Sequence, residues 1–580
     1  MKLSKILLGI CFVIVGQFFS SCSLDETPYT SLPMSDYFQT PENFGFYLDG
    51  VYSQMCVDRT WGGAAIACML YDDDDTQAGR SYRPGIDGFY NFTTRAADTW
   101  KGFFNIVQQA NMFLYELSEK GHEILSPEIH DRYKGEALFL RAYAYLELAR
   151  RFGGLPYRDG PYLDGISSPD CARIPQTEVY KNVAKDFLEA STLLPTSYNT
   201  GYTSTDRGRP TRQAAWGMYM RTNLHLAGAE GYGSLSKTPD AAKAEQCYRN
   251  VIEAGDSILK YANTIDFPAL EKNYMAPFDT KNQNNCNEIL FSAQLLTNFA
   301  GRGVEIAFTC CPPGSDLCGS ADNGGGEVTL RWDFIGKKFY KNDKRIEWGV
   351  ALVDSFYNNK SNEKRWYYIY NPYIFPNSGE QSGTIPTQYT CTSTTSEDTW
   401  QKNYATPNVP QQDETGYGFD KNINLKNSIT GDATRRATPK IYSMKYTDPE
   451  ATGKQMNGCD IILLRYADVL LMYAEAQCEL NNISAGIEYL DKIRNRAGIP
   501  LIENIYPGID QYDLRDSIRL ERRRELYLEF NRRWDLVRWG EFSTTMTNAK
   551  RPRYTWQDLY PIPVEEISAN GLINSNNPGW

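Results

Sequence analysis

Three features of the sequence predict a mostly α-helical chain of paired helices interrupted by long loop-rich insertions. Apolar residues recur at a 3.6-residue period over residues 36–260 and again over 463–541. Residues 261–462 lose that period and fill with Asn, Thr, Gly, Pro and aromatics, as in WYYIYNPYIF and TPNVPQQDETGYGF. The periodic segments are rich in Ala and alternate small with large residues, which lets one helix approach another closely. A chain of 580 residues, 41% hydrophobic and 23% charged, has enough material for a sizeable core.

The N-terminus reads MKLSKILLGICFVIVGQFFSSC: Lys2 and Lys5, an apolar stretch from Ile6 to Val15, then Ser20 and Ser21 before Cys22. This predicts a secretory signal over residues 1–21, too short to span a membrane comfortably and cut before Cys22. The pattern resembles the lipobox of bacterial lipoproteins, with Phe19 where Leu is usual, so Cys22 is the expected lipidation site and 22–34 a lipidated tether. Elsewhere no segment approaches eighteen consecutive apolar residues, which leaves a lipid as the expected membrane attachment.

Residues 35–260 form a helical region with a loop-rich insertion at 60–97. Within it, EALFLRAYAYLELARRFGGLP stops at Gly153-Gly154 with Pro156 just beyond, as helices do. In VYKNVAKDFLEASTLLP, Val183, Phe187, Ala190 and Pro195 are spaced 4, 3 and 5, matching the second helix of a tetratricopeptide repeat. Ala244, Tyr248 and Val251 repeat the first two spacings, as do Gly486, Leu490 and Ile493. These units lie far apart, which predicts stacked helix pairs with insertions rather than a tandem array. After the insertion 261–462, LLRYADVLLMYAEAQCEL opens a second helical region, 463–545, with Leu463, Tyr466, Ala467, Leu470 and Ala474 on one face. Residues 546–580 form an irregular segment expected to pack on the scaffold.

Net charge is −11, which removes the positive field that nucleic-acid binding needs. Aromatics reach 13%, whereas histidines number 3, a balance favouring flat-faced binding over histidine-dependent catalysis or zinc chemistry. Setting aside Cys11 and Cys22 leaves eleven of the 13 cysteines, an odd count that keeps at least one thiol unpaired. Cys310, Cys311 and Cys318 fit no common zinc spacing and predict a local loop disulfide. No G-x-S-x-G, H-E-x-x-H or Walker loop occurs, and the glycine-rich GGGEVTL at 324–330 precedes a strand-like run rather than a helix. Neither a catalytic residue, a cofactor nor a metal site is expected.

Six separated segments together resemble the SusD/RagB-like proteins. They are CSLDETP, RYKGEALFLRAYAYLELARRFGGLPY, RGRPTRQAAWGMYMRTNLHLAG, LLRYADVLLMYAEAQCELN with LDKIRNRAG, RLERRRELYLEFNRRWDLVRWG, and the terminal LYPIPVEEISANGLINSNNPGW. The resemblance implies a SusD-like fold and a lipid-anchored, surface-exposed nutrient-binding protein of the outer membrane. It would capture an oligosaccharide and sit as a lid on a SusC-like TonB-dependent transporter. Asp25 and Glu26 resemble the signal that sends such lipoproteins to the outer face.

Within this frame the candidate glycan-binding residues are Trp61, Asp73, Asp74, Asp75, Arg80, Tyr82, Arg83 and Tyr90 of the first insertion, with Phe308 and Trp332 of the second. Aromatic planes cover the C–H face of a pyranose, while carboxylates and guanidiniums take its hydroxyls. Two rival functions remain open, a surface glycoside hydrolase and a binder of peptides or other nutrients. A hydrolase would draw on Glu521, Glu525 and Glu529, four apart on one helix face, but the arginines around them predict a structural ion network.

Overall fold

The structure is a computed structural model that describes residues 34–70, 72–78, 92–161, 171–198, 206–262, 268–299, 306–310, 326–331, 334–335, 338–340, 343–345, 350–357, 364–370, 440–448, 450–453 and 456–580. The signal, Cys22 and nearly all of the tether lie outside them. Helices dominate: α1 (Pro41–Ser53), α2 (Phe92–Glu116), α3 (Pro127–Phe152), α4 (Gln176–Leu193), α5 (Arg212–Ala227) and α6 (Ala241–Leu259) precede the long insertion, and α7 (Tyr466–Glu479), α8 (Ile483–Ala497), α9 (Gln511–Glu525) and α10 (Arg532–Arg538) follow it. From α2 to α8 each helix packs on the next in chain order. Pairing of Lys134 with Glu189 and of Arg141 with Asp186, together with Gln176 donating to the Ala149 carbonyl, shows α3 and α4 antiparallel.

Local chemistry sets the helix ends. Ser126, Thr211, Asp240 and Asp510 each cap a helix by accepting a backbone N–H of its first turn. At the end of α3, Gly153 has φ +76°, and a Cβ there would lie 2.8 Å from Leu559 Cδ1, so glycine serves both the left-handed turn and the close approach. Of the residues singled out by the repeat spacing, Val183, Phe187, Ala190, Val251, Gly486, Leu490 and Ile493 lie on α4, α6 and α8 and are buried, whereas Pro195 lies beyond the end of α4.

Across the long insertion the helical stack continues without a break. Helices α6 and α7 touch directly: Tyr473 donates its hydroxyl to Asp256 at 2.6 Å across 217 residues of sequence, against the bare face of Gly255. The insertion leaves and returns through an antiparallel pair, β4 (Ile289–Ala293) with β9 (Ile461–Arg465), registered Ile289 to Arg465 and Ala293 to Ile461. Helical period alone predicts α7 from Leu463, but Leu463 to Arg465 are strand, because the buried run Ile461–Leu464 finds a ladder partner in β4.

A five-stranded antiparallel sheet completes the insertion. Its strands are β1 (Thr76–Ala78), β5 (Val328–Leu330), β6 (Val350–Tyr357), β7 (Lys364–Tyr370) and β8 (Lys440–Ser443), in the order β1-β5-β8-β6-β7. Two short strands, β2 (Leu155–Pro156) and β3 (Arg173–Ile174), pair after α3. One apolar core runs from Phe38 to Ile573, with a small satellite of Leu536, Val537, Trp539, Phe542 and Met546. Cys310 is buried and joined to no other cysteine, so it takes no part in the loop disulfide expected from its spacing; Cys311 and Cys318 lie outside the described residues. Among the described residues no helix is long and apolar enough to cross a membrane, and no His/Cys/Asp/Glu group is placed to hold a metal.

Candidate ligand-binding face

The acidic run of the first insertion is an anchor. Asp72, Asp73, Asp74 and Asp75 are all buried, and five arginines from the last fifth of the sequence close on them. Arg532 Nε donates to Asp74 Oδ1 at 2.7 Å, and Arg523 pairs with Asp74 at 2.8 Å and also with Asp75. Asp72 takes Arg533 and, at 3.2 Å, Arg553. Arg551 Nη1 donates to the carbonyls of Asp73 and Thr76 at 2.8 and 2.9 Å. Asp73 Oδ1 accepts the N–H groups of Asp75 and Thr76, both at 2.9 Å, a local turn that starts β1. Burial opposes ionisation of Asp74, but Arg532 and Arg523 outweigh it and hold the carboxyl well below its ordinary range. Burial and the neighbouring Asp74 charge push Asp75 up, against the pull of Arg523.

This placement corrects four expected site residues. Asp73, Asp74 and Asp75 point into protein and present no free carboxylate to a sugar. Trp61 is 1% exposed and packs against Phe103 and Phe530 with the Arg151 guanidinium over its ring, so it fills the core. Arginines some 450 to 480 residues away in sequence neutralise the acidic run, a distance no local pattern reports.

In sequence, the other candidates flank one strand pair. Strand β1 lies antiparallel to β5, with Thr76 opposite Leu330 and Ala78 opposite Val328, and the pairing extends through Arg331 N to the Asp75 carbonyl at 2.8 Å. The stretch carrying Arg80, Tyr82, Arg83 and Tyr90 follows β1 in sequence; these four residues and Trp332, which follows Arg331, lie outside the described residues. Phe308 belongs to the short helix Ile306–Cys310, tied to the start of β5 by Glu327 N donating to the Thr309 carbonyl at 2.9 Å; its own side chain is outside the description. Phe299, 53% exposed at the end of the described stretch 268–299, is not among the expected contacts, because exposure has no signature in a loop without period.

The evenly spaced glutamates are no hydrolase pair, nor do they share one helix face: Glu521 and Glu525 lie on α9, which ends at Glu525, and Glu529 lies in the turn beyond it. Glu521 and Glu525 are fully buried and Glu529 nearly so, each facing cations. Glu521 meets Arg345 at 2.6 Å, Arg494 at 2.8 Å and Arg524 at 3.0 Å. Glu525 meets Arg465 at 2.7 Å and Arg496, while Glu529 meets Arg465 at 2.7 Å and Lys445 at 2.6 Å. Burial opposes ionisation of Glu521, and its three guanidiniums overcome it to hold the carboxyl at about 2. An acid catalyst needs the opposite shift. Among the arginines nearest in sequence, Arg524 pairs with Glu521, whereas Arg522 turns to Asp468 and Asp535, and Arg532 and Arg533 go to the acidic run.

Comparison with known proteins matches two stretches of the chain: residues 253–580 fit the model described as the SusD family, and residues 39–224 the one described as starch-binding associating with outer membrane. SusD-like protein P25 of Formosa agariphila is 23% identical over 610 aligned positions, covering 100% of both chains. A SusD homolog from Bacteroides thetaiotaomicron superposes with TM-score 0.66 at 18% identity, covering 94% of this chain and 98% of its own. Surface glycan-binding protein A from Bacteroides fluxus gives TM-score 0.62 at 18% identity, covering 93% and 100%. Because the SusD family model spans more than half of the sequence and the helical stack has the same fold as these structures, the chain belongs to the SusD family.

Proposed function

We propose that this protein is a lipid-anchored, surface-exposed glycan-binding protein of the outer membrane that captures an oligosaccharide and delivers it to a SusC-like TonB-dependent transporter. The observation carrying the binding role is the β1–β5 pairing, which roots both aromatic-rich segments at one sheet edge. Arg80, Tyr82, Arg83, Tyr90, Phe308 and Trp332 remain the proposed contacts. A solved relative named for surface glycan binding and the outer-membrane wording of the second family description support the same reading. Cys22 is the proposed anchor. Binding without turnover agrees with Glu521 and Glu525, whose arginine neighbours keep them ionised.

Screening the mature protein on a glycan array, then titrating the best hit by calorimetry, tests this. Trp332→Ala is expected to weaken binding by about 1–3 kcal/mol, the loss of one apolar stacking face, with helix content unchanged and the glycan recovered intact. Capture of peptides but no glycan, or release of reducing ends, overturns the reading.

A further inference from the structure

A second candidate site lies at the start of α5. Thr211 caps this helix, and two residues on stands Gln213, 1% exposed, whose Oε1 and Nε2 both lack a hydrogen-bond partner. Buried carboxamides left unmet at both ends are rare in folded proteins. Gln213 lines a cavity of about 240 Å³. Ser197 and Tyr198 beyond α4, Asn287, and Leu290 and Phe291 of β4 bound it. At about 30 Å³ per water the space exceeds what one carboxamide needs for hydration.

A neighbouring cavity of about 250 Å³ shares Arg207, Gly208, Arg209 and Gln294 with the first and extends to Asp49 and Tyr52 of α1. Gly208, at φ +93°, sits in the shared wall, where a Cβ would come within 2.2 Å of the Gln294 carboxamide. The two cavities adjoin across a residue with no side chain.

The lining selects a ligand class. Arg209 is already paired with Glu136 at 2.7 Å and Asp49 at 2.6 Å, and Arg207 donates to Asn285 at 2.6 Å, so the cations here are engaged by protein groups. Carboxamides both donate and accept, which suits hydroxyls; a phosphate or carboxylate only accepts. Leu290 and Phe291 supply an apolar wall for a C–H face. We propose that the cavity at the start of α5 binds a neutral sugar of about one pyranose ring, with the Gln213 carboxamide as its central hydrogen-bonding group. This site shares no residue with the proposed glycan face.

Thermal-shift and saturation-transfer measurements on the mature protein test it, with glucose, galactose, xylose and N-acetylglucosamine as neutral probes and glucuronate and inorganic phosphate as anionic ones. At least one neutral sugar is expected to raise Tm and show saturation transfer. Gln213→Met keeps the shape and removes the carboxamide: it should be no less stable than wild type without sugar and bind that sugar at least tenfold more weakly. Trp332→Ala should keep this binding, which separates the site from the glycan face whether or not the latter reading holds. Absence of any neutral-sugar signal in the wild type, an unchanged affinity in Gln213→Met, a marked loss of stability in that variant, or preference for the anions each overturns the proposal.

Discussion

Arg465 ends β9 and sits on the boundary between the insertion and the scaffold. Its guanidinium meets Glu288, Glu525 and Glu529, all buried, at 2.6 to 2.7 Å. Buried charges of this kind are tolerated only when paired, so Arg465→Met should leave three carboxylates under-compensated and cost about 3–5 kcal/mol, read from urea unfolding. A loss below 1 kcal/mol would show that the neighbouring Arg496 and Lys445 suffice. Asp460 is the contrary case. It accepts from Leu295 N at 2.9 Å and Ser292 Oγ at 3.0 Å, and among the described residues it has no ion pair. Burial pushes it up to about 7. A carboxyl raised above its unfolded value near 3.9 contributes stability below that value and loses it as pH climbs toward 7. Asp460→Asn cannot titrate, so it should gain on the order of 4 kcal/mol over wild type at pH 7.5 and nothing at pH 4. Equal stability of the two proteins at both pH values would contradict this.

Between the first insertion and the C-terminal helices, the acidic run acts as a clasp. Asp74 is gripped by Arg532 of α10 and Arg523 of α9, so the start of β1, and with it the edge shared with β5, is fixed to the scaffold. A double-mutant cycle of Asp74→Asn and Arg532→Met should give a coupling of about 1–3 kcal/mol. Additivity within about 0.5 kcal/mol would show the pair to be incidental. Helices of this protein were legible because a buried face repeats every 3.6 residues and caps mark its start, as at Thr211 and Asp510. Most strands were not, the strand-like run after the glycines at 324–326 excepted: β1 is three residues long, and its partner β5 lies 252 positions away. The proposed site could be read only as two aromatic-rich segments, because the burial of Asp73, Asp74, Asp75 and Trp61 depends on partners far away in sequence.

Over the whole molecule, opposing ionisations shape the acid response. Burial works against Glu521, Glu475 and Asp468, yet their arginine partners hold each at about 2. Carboxyls depressed in this way stabilise the fold above their unfolded values near 4 and lose that contribution as pH falls toward 2, on the order of 3 kcal/mol each. The raised Asp460 acts in the other direction between about 4 and 7. Stability is therefore expected to rise modestly from pH 7 to about 5 and collapse below 4. Urea midpoints at pH 7, 5 and 3 check this, and an unchanged midpoint between pH 5 and 3 would refute it.

By itself the sequence determined the mostly helical class, the pairing of helices and the resemblance to SusD/RagB-like proteins, because periodicity, capping and motif order are local or additive properties of the chain. It also determined that Glu521, Glu525 and Glu529 are surrounded by arginines, though mostly not which ones. Only the tertiary structure decided that α6 and α7 are neighbours across the insertion, that the acidic run faces inward, and that Trp61 is core. Those outcomes rest on contacts between residues hundreds of positions apart. Burial turns such charges and rings from exposed binding groups into paired or packed ones, and burial belongs to the fold as a whole rather than to any segment of it.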